Sequence, residues 1–89
     1  MRSIRYLGQF KKDFKRTEKR GGDVKKLRAV IEKLVNEEEL GARYKDHPLQ
    51  GKFADARDCH ISPDWILIYA IAGNELRLIR TGTHSDLFK

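Results

Sequence analysis

The chain has 89 residues, 39% hydrophobic, 9% aromatic and 36% charged, with two prolines and one cysteine. That length holds a single domain and excludes a second core, the composition excludes a disordered tail, and the lone Cys59 excludes an internal disulfide. The formal net charge of +6 is uneven: residues 1–52 hold 15 Lys and Arg against 8 Asp and Glu, and residues 53–89 hold 4 against 5.

In chain order, residues 3–7 alternate apolar Ile4 and Tyr6 with polar neighbours, the two-residue period of a half-buried strand. Over residues 9–20, Phe10 and Phe14 stand four apart in a field of Lys and Arg, which predicts an amphipathic helix with one narrow inward stripe. Gly21 and Gly22 stop it. Asp23 can cap a second helix, in which Val24, Leu27, Val30, Ile31, Leu34 and Val35 recur at spacings of three and four. The short link makes the pair an antiparallel helical hairpin, ending near Glu37-Glu38-Glu39 and Gly41.

Over residues 42–55 the pattern lapses, and His47 is predicted on a loop because Pro48 holds its predecessor out of helical geometry. Residues 57–61 alternate as a strand, Pro63 and Asp64 turn, and residues 65–72, apolar on both faces, read as the central strand. Gly73 and Asn74 make a hairpin turn into a strand over residues 75–80, and Thr81-Gly82-Thr83 and a short tail follow. The expectation is one α+β domain over residues 1–89: an N-terminal strand, an antiparallel helical hairpin on one sheet face, and a mainly antiparallel sheet of three to four further strands. The longest apolar run, residues 65–72, falls far short of the roughly 20 residues of a membrane helix, and no signal-type stretch follows Met1. A reducing cytoplasm and no membrane association are expected.

The basic first half suits a polyanion such as nucleic acid or a ribonucleoprotein, held through Lys11, Lys12, Lys15, Arg16, Lys19, Lys25, Lys26 and Arg28; the competing reading is a solvated helix face. All three histidines lie in the second half, inside Asp46-His47-Pro48, His60-Ile61-Ser62-Pro63-Asp64-Trp65 and Arg80-Thr81-Gly82-Thr83-His84. Imidazoles exchange protons near neutral pH. A pair of them suits an RNA phosphodiester: one takes the 2′-OH proton and the other protonates the leaving 5′ oxygen, with Arg80 as a fixed cation for the phosphoryl oxygens. Asp64 could orient a histidine, and Trp65 and Phe88 could stack splayed bases. Against this, a single loop histidine is commonly just solvated, Trp65 and Tyr69 fit a core, and Cys59 fits a small buried hydrophobe. Arg80 shares strand parity with Leu76 and Leu78, so unless it lies past the packed stretch it is a structural ion-pair partner. The histidines stand 13 and 24 residues apart, without the compact pairs of a zinc motif.

Tyr44-Lys45-Asp46-His47-Pro48-Leu49-Gln50-Gly51, Arg57-Asp58 with His60, residues 63–69, Arg80-Thr81-Gly82-Thr83-His84 and Leu87-Phe88 together closely resemble the YafQ branch of the RelE-type toxins. The likeness is specific in the second half and one of pattern in the helical hairpin. It implies a RelE-like fold and a bacterial type II toxin: an endoribonuclease without a cofactor that cleaves mRNA in the ribosomal A site and is held inactive by a cognate antitoxin, meeting operator DNA only through that complex. The family's site falls on His47, His60, Asp64, Trp65, Arg80, His84 and Phe88. The expected chemistry is metal-independent attack by the 2′-OH, leaving a 2′,3′-cyclic phosphate and a 5′-OH. His84 is expected as general acid, Asp64 or His60 as general base, with His47 assisting and Arg80 stabilising the phosphorane. The alternatives are a toxin of the same fold that inhibits gyrase or another target by binding alone, and an antitoxin-bound module assisting operator binding.

Overall fold

The computed structural model describes every residue except Ala54 and Lys89. The chain runs β1 (Ser3–Tyr6), α1 (Gly8–Lys19), α2 (Val24–Val35), β2 (His47–Pro48), β3 (Arg57–Ser62), β4 (Trp65–Ala72), β5 (Glu75–Gly82) and α3 (His84–Leu87), with 3-10 turns at Ala42–Tyr44 and Gly51–Phe53. The strands form one sheet in the order β1-β5-β4-β3-β2, so the doubly apolar strand is central, as its composition requires. β1 pairs with β5 in parallel and the other pairs are antiparallel. The fold is α+β.

Both long helices stop by the same device. Gly22 and Gly21 return their N–H groups to the carbonyls of Thr17 and Glu18, and Glu38 and Glu37 return theirs to Lys33 and Leu34. The second reversal has Glu37 at φ +61°, so α2 ends at Val35, short of the glutamate run. Asp23 caps α2 by accepting from the Lys25 N–H.

The helices cover one face of the sheet. There Phe10, Leu27, Val30, Leu34, Tyr44, Cys59, Leu67, Tyr69, Leu76 and Leu78 form one buried cluster. Each such large side chain contributes about 1.5–3 kcal/mol by leaving water. The opposite face carries a smaller cluster of Ala56, Ile66, Ile68 and Leu87, the last brought by α3.

Two expectations are corrected. His47 is not on a loop: it pairs with Asp58, and Pro48 with Arg57, as a two-residue edge strand. The bias that keeps a pre-proline residue out of a helix favours extended backbone, and a sheet edge tolerates proline's missing N–H. Nor does Arg80 keep parity with Leu78. Leu78 pairs with Tyr69 but Arg80 pairs with Ile68, a register shift that makes Ile79 the extra residue and turns Arg80 to the other face. β5 also runs two residues beyond the expected end, to Gly82.

Candidate active site

The face away from the long helices gathers the polar residues in two cross-strand rows. One row runs His47, Asp58, Ile68, Arg80 across β2 to β5, and the next runs His60, Ile66, Gly82. Partners across a sheet share a face, so His47, Asp58, His60 and Arg80 point to the same side. Three interstrand steps separate His47 from Arg80, about 14 Å at the backbone. α3 then lays His84 and Phe88 beside these rows by burying Leu87 on Ile66 and Ile68.

His84 is the most defined imidazole. Its Nδ1 lies 2.9 Å from Asp64 Oδ1, and its backbone N–H donates to the same oxygen at 3.2 Å. A carboxylate can only accept, so Nδ1 carries a proton and Nε2 is free to give or take one. These hydrogen bonds from His84 hold the Asp64 carboxyl below its ordinary range. The His60 ring stands edge-on to His84 with centroids 5.6 Å apart, and Phe88 lies 6.2 Å from His84 on another side. Phe88 is 42% exposed and forms a T-shaped pair with Phe53, with centroids 6.2 Å apart.

His47 is oriented from beneath. Its Nδ1 donates to the Lys45 carbonyl at 2.9 Å, which again leaves Nε2 as the free nitrogen. The same Nδ1 is 2.9 Å from Oδ1 of buried Asp58, off line for a hydrogen bond, so that contact is electrostatic. Burial pushes the Asp58 carboxyl up, and the nearby His47, His60 and His84 pull it back. Asp46, the neighbour of His47, accepts from Tyr69 Oη (2.7 Å) and Arg57 Nε (3.1 Å) and ties β2 to the sheet.

Arg80 is held by Asp13 of α1, a carboxylate with no exposed surface. Arg80 Nε donates to Oδ2 at 2.7 Å and Nη2 to Oδ1 at 3.1 Å. The Thr81 N–H donates to Oδ2 at 3.2 Å, and Arg16 and Gln9 reach Oδ1 at 3.0 and 3.3 Å. The parallel pairing ends at Tyr6 and Leu78, so Thr81 lies beyond β1 and Asp13 takes the N–H that a longer strand would have paired. A second carboxylate, Asp86, closes the capping box of α3 with Thr83 and accepts from Arg20 Nη1 at 2.8 Å. Arg20, the Thr83 N–H and the Thr83 hydroxyl hold its carboxyl well below the ordinary range. Gly82 permits this junction: a Cβ there would stand 2.9 Å from Asp86 Oδ2 and 3.2 Å from Arg16 Nη2.

The expected site residues thus divide. His47, His60, Asp64, Arg80, His84 and Phe88 gather around one face, whereas Trp65 packs against the helix-side cluster and its Nε1–H donates to Thr81 Oγ1 at 2.9 Å. Arg16 is engaged by Asp13 and Asp86, and Lys11, Lys12, Lys15, Lys19, Lys25, Lys26 and Arg28 are exposed. The sequence reading passed over Asp13, Asp58 and Asp86, each of which had a signal. Asp13 sits three and one residues from Phe10 and Phe14 on the inward stripe, Asp58 shares strand parity with His60, and Thr83 with Asp86 has capping-box spacing. Among the described residues, no group of three or more His, Cys, Asp and Glu is arranged to hold a metal ion, and no helix is long and apolar enough to cross a membrane.

Residues 2–89 match the family model of the bacterial toxin of type II toxin-antitoxin systems, YafQ. The mRNA interferase toxin YafQ of Escherichia coli K12 is 50% identical over 88 residues, 98% of this chain and 96% of the relative. The E. coli DinJ-YafQ toxin-antitoxin complex contains a chain that superposes with a TM-score of 0.92 at 49% identity, covering 99% of this chain and 98% of that one. A metal-bound toxin from Helicobacter pylori superposes with a TM-score of 0.92 at 44% identity over 99% of this chain and all of that one. The chain belongs to the YafQ family of bacterial type II toxin-antitoxin toxins.

Proposed function

We propose that this chain is an endoribonuclease toxin that cleaves mRNA in the ribosomal A site, inhibits translation, and is neutralised by a cognate antitoxin. The observation that carries the reading is the His60 and His84 pair, 5.6 Å apart, with His84 fixed through Nδ1 by Asp64. His60 takes the 2′-OH proton as that oxygen attacks phosphorus. The bond from phosphorus to the 5′ oxygen breaks, and Nε2 of protonated His84 delivers its proton to the leaving oxygen. The products are a 2′,3′-cyclic phosphate and a 5′-OH. Asp64 holds the His84 ring in place through Nδ1, Arg80 answers the charge on the phosphorane, His47 assists at the far end of its row, and Phe88 stacks a base. Trp65 acts indirectly, by fixing Thr81 next to Arg80. No metal takes part in these steps, and no cofactor is called for.

The relative named as an mRNA interferase supports the substrate class, and the relative solved with DinJ supports an antitoxin partner. The exposed lysines of α1 and α2 supply the surface for ribosomal RNA, with operator DNA reached only through the antitoxin complex. The test is to strip the protein with EDTA, remove the chelator, and add the protein to mRNA-programmed ribosomes. Cleavage leaving a 5′ end that polynucleotide kinase phosphorylates directly is expected. A 5′-phosphate product, or cleavage that returns only when a transition metal is added back, would overturn the mechanism. Intact mRNA with poisoned gyrase would favour a binding toxin.

A further inference from the structure

We propose that Asp13, on the basic helix α1, is a positioning residue of the catalytic site, setting which edge of the Arg80 guanidinium faces the scissile phosphate. The inference rests on the reading of Arg80 as the cation that stabilises the phosphorane.

A guanidinium has two edges that can engage a pair of oxygens side by side: the Nε and Nη2 edge, and the Nη1 and Nη2 edge. Asp13 occupies the first, at 2.7 and 3.1 Å. Among the described residues nothing occupies the second, on a side chain that is 21% exposed, and its two parallel N–H groups match two phosphoryl oxygens. An arginine free to rotate would have to be ordered at each encounter, at a cost in side-chain entropy that Asp13 removes beforehand.

A carboxylate beside a catalytic cation also threatens to cancel it. Here the anion is shared. Asp13 accepts from Arg16, Gln9 and the Thr81 N–H as well as from Arg80, and Arg16 also lies 3.8 Å from Asp86, which Arg20 holds. Three arginines face two carboxylates in this cluster, leaving a positive charge in excess. Asp13 has no exposed surface, so substrate cannot reach it and it acts only through its partners.

The test is a cycle of substitutions read by single-turnover cleavage on programmed ribosomes. Asp13→Asn keeps the shape and removes the charge. It is expected to lower the cleavage rate on the order of 10- to 100-fold with ribosome affinity within about twofold. In an Arg80→Ala background the same change is expected to do nothing further, because its route to the reaction is gone. An equal loss in both backgrounds would overturn the proposal and leave Asp13 a purely structural residue. Arg80→Ala cleaving at the full rate would instead remove the reading of Arg80 itself. NMR of the unaltered protein supplies an arm that needs neither activity nor a stable variant: the Arg80 Nε–H is expected as a slowly exchanging resonance. Exchange as fast as that of an exposed arginine would overturn the grip by Asp13.

Discussion

The two faces of the sheet use the same strands for opposite purposes. On the helix side, ten buried side chains from α1, α2, the Ala42–Tyr44 turn, β3, β4 and β5 make one cluster, in which Leu27, Cys59, Leu67, Leu76 and Leu78 have no exposed surface. On the other side the buried apolar cluster is Ala56, Ile66, Ile68 and Leu87, and the rows around it hold histidines, the buried carboxylate of Asp58 and an arginine. A small domain has little apolar surface to spend, and this one concentrates it on a single face so that the other can hold polar groups in fixed positions. The apolar core and the candidate site lie on opposite faces of one sheet, joined at its edge by the pair of Asp13 and Arg80.

That separation can be broken by experiment. Under the proposed function, His84→Ala should cost ~10²–10⁴-fold in mRNA cleavage while the thermal transition is little moved, because the ring is exposed and its partner Asp64 is a solvent-exposed carboxylate. A large drop in Tm would mean that the functional face is also structural. Leu67→Ala tests the converse. Losing a side chain with no exposed surface should cost about 2–5 kcal/mol in chemical denaturation. At low temperature the folded fraction should still cleave at its normal rate; a matching loss of intrinsic rate would join the two faces.

Smaller changes sharpen the boundary. Thr83→Ala removes the cap of a four-residue helix, and about 1 kcal/mol of α3 stability should go with it. Because α3 carries His84 and anchors Phe88, cleavage should suffer more than global stability, and amide exchange in residues 84–88 should rise ahead of the core. The smallest effect is the acid limb. Asp86 has a folded-state pKa held below its unfolded value, so its stabilisation is complete above the ordinary carboxylate range and is lost as pH falls through the depressed one. Asp86→Asn should therefore destabilise the protein at neutral pH and flatten the fall in Tm at low pH. An acid limb identical to that of the unaltered chain would assign that slope to other carboxylates.

Much of this was legible in the sequence, where the signal was periodic or punctuated. The α2 stripe, the Gly21 and Gly22 stop, the Asp23 cap and the doubly apolar β4 each follow from spacing and residue type, and each is where it was expected. The motif residues His47, His60, Asp64, Arg80, His84 and Phe88 were legible as clusters, yet their meeting on one face depends on a register shift at Ile79 that no periodic reading contains. His47 was misassigned because a proline signals departure from a helix without saying whether a loop or a sheet edge follows. Asp13 escaped notice because an acid among lysines looks like a solvated residue. Only the neighbouring strand, 67 residues away, reveals what it holds.

That distance bears on when the polar face is assembled. His47 and His60 belong to strands that can pair once the middle of the chain is made, but the clamp on Arg80 closes between the first helix and the last strand, and Asp64 meets His84 only when α3 follows. Closing so long a loop comes late, after the local helices and hairpins have formed. A chain still being made therefore carries both halves of the Asp13–Arg80 and Asp64–His84 pairs before either pair can form.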